Sequence, residues 1–111
     1  MNTASVYQIF NLSLAQKYGV PKAIIIYQFE GWLWKAERTQ GKISGRPWII
    51  KPMTEIAKAF PYLRYSQVRY HILGLIKEGV IITKKFGIQR GYSFSDESMF
   101  INGISHPEVK L

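Results

Sequence analysis

The spacing of apolar residues changes several times along the chain, and each spacing predicts a different element. Leu12, Leu14 and Ala15 give a short helix over residues 12–18, which Asn11 or Ser13 can cap and Gly19 ends. Pro21 suits the first turn of a second helix, where its missing N–H would have no partner to lose. This helix runs to about Arg38. Its apolar residues, from Ala23 and Ile24 through Ile25, Phe29 and Trp32 to Ala36, cover more than one face. A helix that is apolar most of the way round is buried on several sides. It is therefore expected to be both the central helix of the core and part of a dimer seam.

Residues 39–47 form a polar loop containing Gly41 and Gly45. Residues 48–51, bounded by Pro47 and Pro52, predict a short strand. Ile56, Ala57 and Phe60 mark the apolar face of a short helix over residues 54–60, which Pro61 stops. After a turn, Ser66 opens a longer helix lasting until Gly79, with Val68, Ile72, Leu75 and Ile76 on one stripe. A β-branched run over residues 80–86, a turn over residues 87–91 and a return over residues 92–95 complete a hairpin. The order predicts an α+β fold of winged helix-turn-helix type, mainly helical with a small antiparallel β-hairpin wing. All 111 residues are read as one domain: N-terminal helices (12–38), strand and helix-turn-helix (48–79), wing (80–95) and tail (96–111).

Charge sharpens this picture. Between Arg38 and Arg90 there are eleven basic side chains against two acidic ones, Glu55 and Glu78, a local charge of +9 in a protein whose net charge is +8. The rest of the chain is close to neutral, so the excess coincides with the helix-turn-helix and wing, as a polyanion-binding surface requires. A duplex major groove is about 12 Å wide and accepts one helix, which reads base edges mainly from its N-terminal turns. Ser66, Gln67, Arg69 and Tyr70 are the candidates for groove contacts. Arg64 and Tyr65 suit phosphates, and Lys77 lies on the side of the same helix. Lys84, Lys85 and Arg90 are placed on the wing, with Lys51 and Lys58 as weaker phosphate candidates. Gly74 leaves room on the front of the helix for close approach or for another helix. Each of these bases also has a plain reading as a solvated surface charge, and the pair on the strand as edge protection; the argument rests on the set.

Other chemistries find little support. With no cysteine, disulfides, thiolate zinc sites and cysteine nucleophiles are excluded. His71 and His106 are the two histidines, and neither sits in a carboxylate-bearing motif; His71, on the long helix, reads as a surface or DNA-contacting group. Gly41-Lys42 lacks the rest of a phosphate-binding loop. No enzyme activity, metal or cofactor is expected. The polar start of the chain does not read as a signal peptide, and the run from Ala23 to Trp34 is too short to span a bilayer, so a cytoplasmic protein without a membrane partner is expected.

One resemblance follows from particular residues. The pattern Ala15-Gln16-Lys17-Tyr18-Gly19, Trp32-Leu33, Gly45-Arg46-Pro47-Trp48, Phe60-Pro61-Tyr62-Leu63, Val68-Arg69 and Gly79-Val80-Ile81 resembles the N-terminal winged-helix domain of phage and plasmid replication-initiation proteins. It covers about residues 12–95. The resemblance implies double-stranded DNA as partner and a mobile-element origin, in replication initiation or transcriptional regulation. Two alternatives stand beside it. A protein-binding winged helix would engage a host or phage replication protein, or a defence protein. An architectural binder would hold duplex DNA without sequence preference. A homodimer is expected, with Ile25, Phe29, Trp32, Met99 and Phe100 as its interface.

Overall fold

The computed structural model describes residues 9–96. Among them are helices α1 (Leu12–Tyr18), α2 (Val20–Gln40), α3 (Met53–Ala57) and α4 (Tyr65–Lys77) and strands β1 (Ile49–Ile50), β2 (Ile81–Phe86) and β3 (Gln89–Phe94). This is an α+β arrangement, with the helices packed against one small antiparallel sheet of order β1-β3-β2.

Asn11 supplies the cap of α1: its Oδ1 accepts the Leu14 N–H at 3.1 Å, satisfying a donor the helix cannot. Gly19, at φ 95°, ends α1 and precedes the first residue of α2 in a conformation that a side chain would disfavour. In α2, Ala23, Ile25, Ile26, Phe29 and Leu33 are fully enclosed. The α2 helix meets α1, α4 and β1, so its several apolar faces are used within one copy of the chain. Burial bears on two residues of the expected dimer seam. Ile25 and Phe29 have no exposed surface and Trp32 is only partly covered, so the first two cannot present themselves to a second copy. Met99 and Phe100, the rest of that expectation, lie outside the described residues.

The short helix α3 is one turn where the apolar spacing predicted two. After Ala57 the backbone tightens into turns in which the N–H groups of Lys58, Ala59 and Phe60 reach back three residues. Pro61 disfavours helical geometry at Phe60, yet Phe60 still enters the core with no exposed surface. In α4, Val68, Ile72 and Leu75 are buried. At its start the Gln67 Oε1 accepts the Arg64 N–H at 2.8 Å. Gly79, at φ 80°, turns the chain back so that the Val80 N–H reaches the Leu75 carbonyl.

The hairpin is tighter than the sequence predicted. Phe86 pairs with Gln89, so only Gly87 and Ile88 form the loop and Gly91 lies inside β3. Gly91 reads as a turn residue from sequence because the reason for a glycine there is tertiary. A Cβ at this position would strike the Phe86 ring, which lies across the strand and meets Trp48 edge-on at 5.5 Å between centroids. The loop before β1 is fixed by Trp48 Nε1, which donates to the Ile43 carbonyl at 2.8 Å, and by Arg46, whose guanidinium donates to the Phe94 carbonyl at 2.6 Å. Two conspicuous residues of the Gly-Arg-Pro-Trp segment thus fasten the loop and the end of β3.

Among the described residues Glu30 is the one buried charged side chain, with 6% of its surface exposed. Burial pushes its carboxyl up from 4.5 to about 7. The folded state therefore holds this proton more tightly than the unfolded chain does. The stability it contributes is full below pH 4.5 and is lost as pH rises from there through about 7. Glu30→Gln, which keeps the shape without the charge, is expected to flatten stability between those limits and to add about 1–2 kcal/mol at pH 8. Urea unfolding at several pH values measures this; an unchanged slope would remove Glu30 as its source.

Candidate functional site

Two neighbouring elements carry the residues singled out by sequence. The inner side of α4 is anchored by Val68, Ile72 and Leu75, so helical spacing turns Ser66, Arg69, Tyr70, Leu73 and Lys77 outward, and all five are exposed. Tyr70 has 71% of its surface in solvent and Leu73 41%, an unusual outlay of apolar area on one short stretch. With Lys22 and Glu78 these residues line an open hollow of about 560 Å³.

Lys22 reaches this hollow from α2. Its Nζ forms an ion pair with Glu78 at 2.7 Å. A Cβ on Gly74 would lie 3.1 Å from the same nitrogen. The room left at Gly74 is thus filled by a side chain of the neighbouring helix, and the only acid of α4's end is neutralised. Lys22 and Glu78 are 56 residues apart, and no local sequence pattern joins them. His71 is placed differently from the sequence expectation. It is half-buried, with its Nδ1 enclosed and its ring edge-on to Tyr70 at 5.4 Å. Burial, and then the charge of Lys22, lower its pKa, so it is neutral at neutral pH and does not belong to the exposed cationic set.

Alternation along the hairpin sorts its basic residues. Ile81, Tyr92 and Phe94 face the helices, and Lys85 and Arg90, which pair directly across the strands, continue the same face. Tyr92 is close enough to Arg90 and to Tyr65, the first residue of α4, for both to influence its ionisation. The start of α4 and the inner face of the hairpin therefore adjoin. Lys84 points to the other face, where its Nζ donates to Ser44 Oγ at 2.6 Å. Arg64, Tyr65, Ser66, Gln67, Arg69, Tyr70, Lys77, Lys84, Lys85 and Arg90 are all exposed, and all but Lys84 lie on α4, at its start or on the inner face of the hairpin.

The described ion pairs, Lys22–Glu78, Lys42–Glu37 and Lys58–Glu55, take in none of those bases. Of the weaker candidates, Lys58 is paired with Glu55 and Lys51 lies over the Trp32 ring at 4.2 Å. Among the described residues no group of three or more acidic or histidine side chains could hold a metal ion, and no helix is long and apolar enough to cross a membrane. In comparisons with known proteins the chain matches no family model, no curated sequence and no solved structure.

Proposed function

We propose that this protein is a winged-helix module that binds duplex DNA, with α4 as the groove-reading helix and the β2–β3 hairpin as the wing. One observation carries the reading. Arg64, Arg69 and Lys77, on or beside α4, and Lys85 and Arg90, on one face of the hairpin that α4 meets, are all exposed, and the nearby acid Glu78 is already matched by Lys22. A surface that gathers cations while balancing its one acid suits a polyanion. The shape narrows the class. A convex helix bearing Arg69 for a guanine edge, with Tyr70 and Leu73 for thymine methyls, fits a major groove, while the wing lies beside it along the backbone.

The expected setting is replication initiation or transcriptional regulation of a mobile element, which rests on the resemblance described above. Arg69→Ala is expected to reduce discrimination between a selected site and random duplex by about 1–3 kcal/mol, whereas Lys85→Ala weakens both alike. Competition binding at about 50 mM salt, a condition in which even non-specific phosphate contacts are strong, measures both. Absence of any duplex binding under that condition removes the proposal, and equal losses for Arg69→Ala on both DNAs remove Arg69 from base reading.

A further inference from the structure

Ile88 stands at the tip of the hairpin with 105% relative exposure, so its side chain packs against nothing. The fold gives no reason for it. Gly87, at φ 67°, supplies the left-handed position of the two-residue loop, and the position after it is ordinarily filled by a small polar residue. A β-branched apolar side chain there stabilises no contact and leaves its whole surface in water.

The residues behind it have the same character. Lys85 and Arg90 face each other directly across the strands, an arrangement of like charges that weakens a hairpin by itself. Arg90 also donates to Thr83 Oγ1 at 3.1 Å, which steadies its guanidinium on that face. On this inner face the pair before them is half-buried Thr83 with buried Tyr92. On the outer face Gly91 is buried and Phe86, the residue before the loop, packs edge-on against Trp48, so the bare tip begins at the loop itself. A cationic inner face ending in a bare apolar tip is poorly suited to the folded protein alone and well suited to a polyanion with an apolar interior.

We infer that Ile88 is a wedge that enters a minor groove and partly unstacks a base step, bending the duplex held by α4. This rests on the duplex-binding reading above and adds a deformation to it. The two strands are about 5 Å apart, before side chains are counted, and an undistorted minor groove is about 6 Å wide. The tip enters only if the groove opens, and an apolar wedge between base pairs opens it by kinking the duplex away from the protein. Lys85 and Arg90 then lie at the phosphates of the widened groove. Pyrimidine–purine steps, which unstack most readily, are the favoured positions. The wing thereby selects sequence through deformability while making no hydrogen bond to a base.

The test uses a 30-base-pair mixed-sequence duplex containing TA steps, labelled at both ends for energy transfer and carrying 2-aminopurine beside one such step. At low salt the full chain is expected to bring the ends closer and to raise 2-aminopurine fluorescence. Ile88→Asn places a favoured turn residue at the tip, so the variant is expected to melt at or above the wild-type temperature. It should still bind, about tenfold more weakly, and leave the DNA straight. Ile88→Leu should retain the bend, and Lys85→Ala should bind more weakly but bend each bound duplex as before. Binding by the wild type without bending, or an undiminished bend with Ile88→Asn, overturns the wedge and leaves the duplex-binding reading intact. No binding by the wild type overturns both. An Ile88 dependence seen with phosphatidylglycerol vesicles and not with DNA also overturns the wedge, and assigns the tip to a lipid surface.

Discussion

Phe29→Ala is expected to cost about 3–5 kcal/mol of folding stability, the usual range for emptying an enclosed phenylalanine site. The ring has no exposed surface, and its centroid lies 5.8 Å from that of Trp32, 6.4 Å from Tyr92 and 6.3 Å from Phe94. It thus joins the central helix to the middle strand of the sheet. Removing it leaves a cavity bordered by rings whose backbones are held in different elements, so collapse around the gap is restricted. A domain of ordinary stability has about 5–15 kcal/mol in all, and the variant is expected to be near the unfolding threshold at 37 °C. Urea titration with fluorescence and circular dichroism checks this. The same experiment separates a core residue from a dimer residue: in the core, the midpoint is independent of protein concentration. A loss under about 1 kcal/mol, or a midpoint that moves with concentration, would return Phe29 to an interface.

The dimer expectation shows where local sequence stops being informative. Apolar spacing identified α2 as buried on several sides, and that burial is what the structure contains. Spacing cannot say what does the covering. In this chain α1, α4 and β1 meet α2, and α4 comes from a segment remote in sequence. The same limit explains Gly91, read as a turn residue because the Phe86 ring that occupies its missing Cβ space is a tertiary neighbour. It also explains Lys22, which joins the α4 face across 56 residues. By contrast, caps and stripes were legible because their causes lie within one turn. Asn11, Gly19, Pro21 and Gly79 each act on the adjacent backbone, and Val68, Ile72 and Leu75 define one side of a helix by themselves.

The candidate surface was legible as a set and less so in its arrangement. All ten proposed contact residues are exposed. Assigning them to one surface required knowing the strand register, because neighbouring residues on a strand point to opposite faces. Lys84 and Lys85 are equivalent in composition and adjacent in sequence, yet only Lys85 shares a face with α4. Ile88 was hidden for a related reason: placing the loop at two residues instead of five is what brings it to the tip.

That difference between two adjacent lysines governs the largest effect expected on binding. Affinity for a mixed-sequence duplex should fall roughly 150-fold between 50 and 200 mM monovalent salt. The figure follows from four cations, Arg64, Lys77, Lys85 and Arg90, each releasing about 0.9 counterion at a phosphate, for a log–log slope of about −3.6. Lys85→Ala should reduce the magnitude of that slope by about 0.9. Lys84→Ala should leave it nearly unchanged, since this side chain is turned to the opposite face and engaged with Ser44. Fluorescence anisotropy across a salt series provides the slopes. A flat response would mean that phosphates contribute little, which would remove the electrostatic basis of the duplex reading. Equal slope losses for the two lysines would mean that DNA contacts both faces of the hairpin, and that α4 and the inner wing are not the whole of the binding surface. A slope steeper than about −3.6 that loses about 0.9 with Lys51→Ala would extend the surface to the end of β1. Because slope counts contacts while absolute affinity mixes them with shape and sequence, this series assigns each cation to the interface independently of which site the protein prefers.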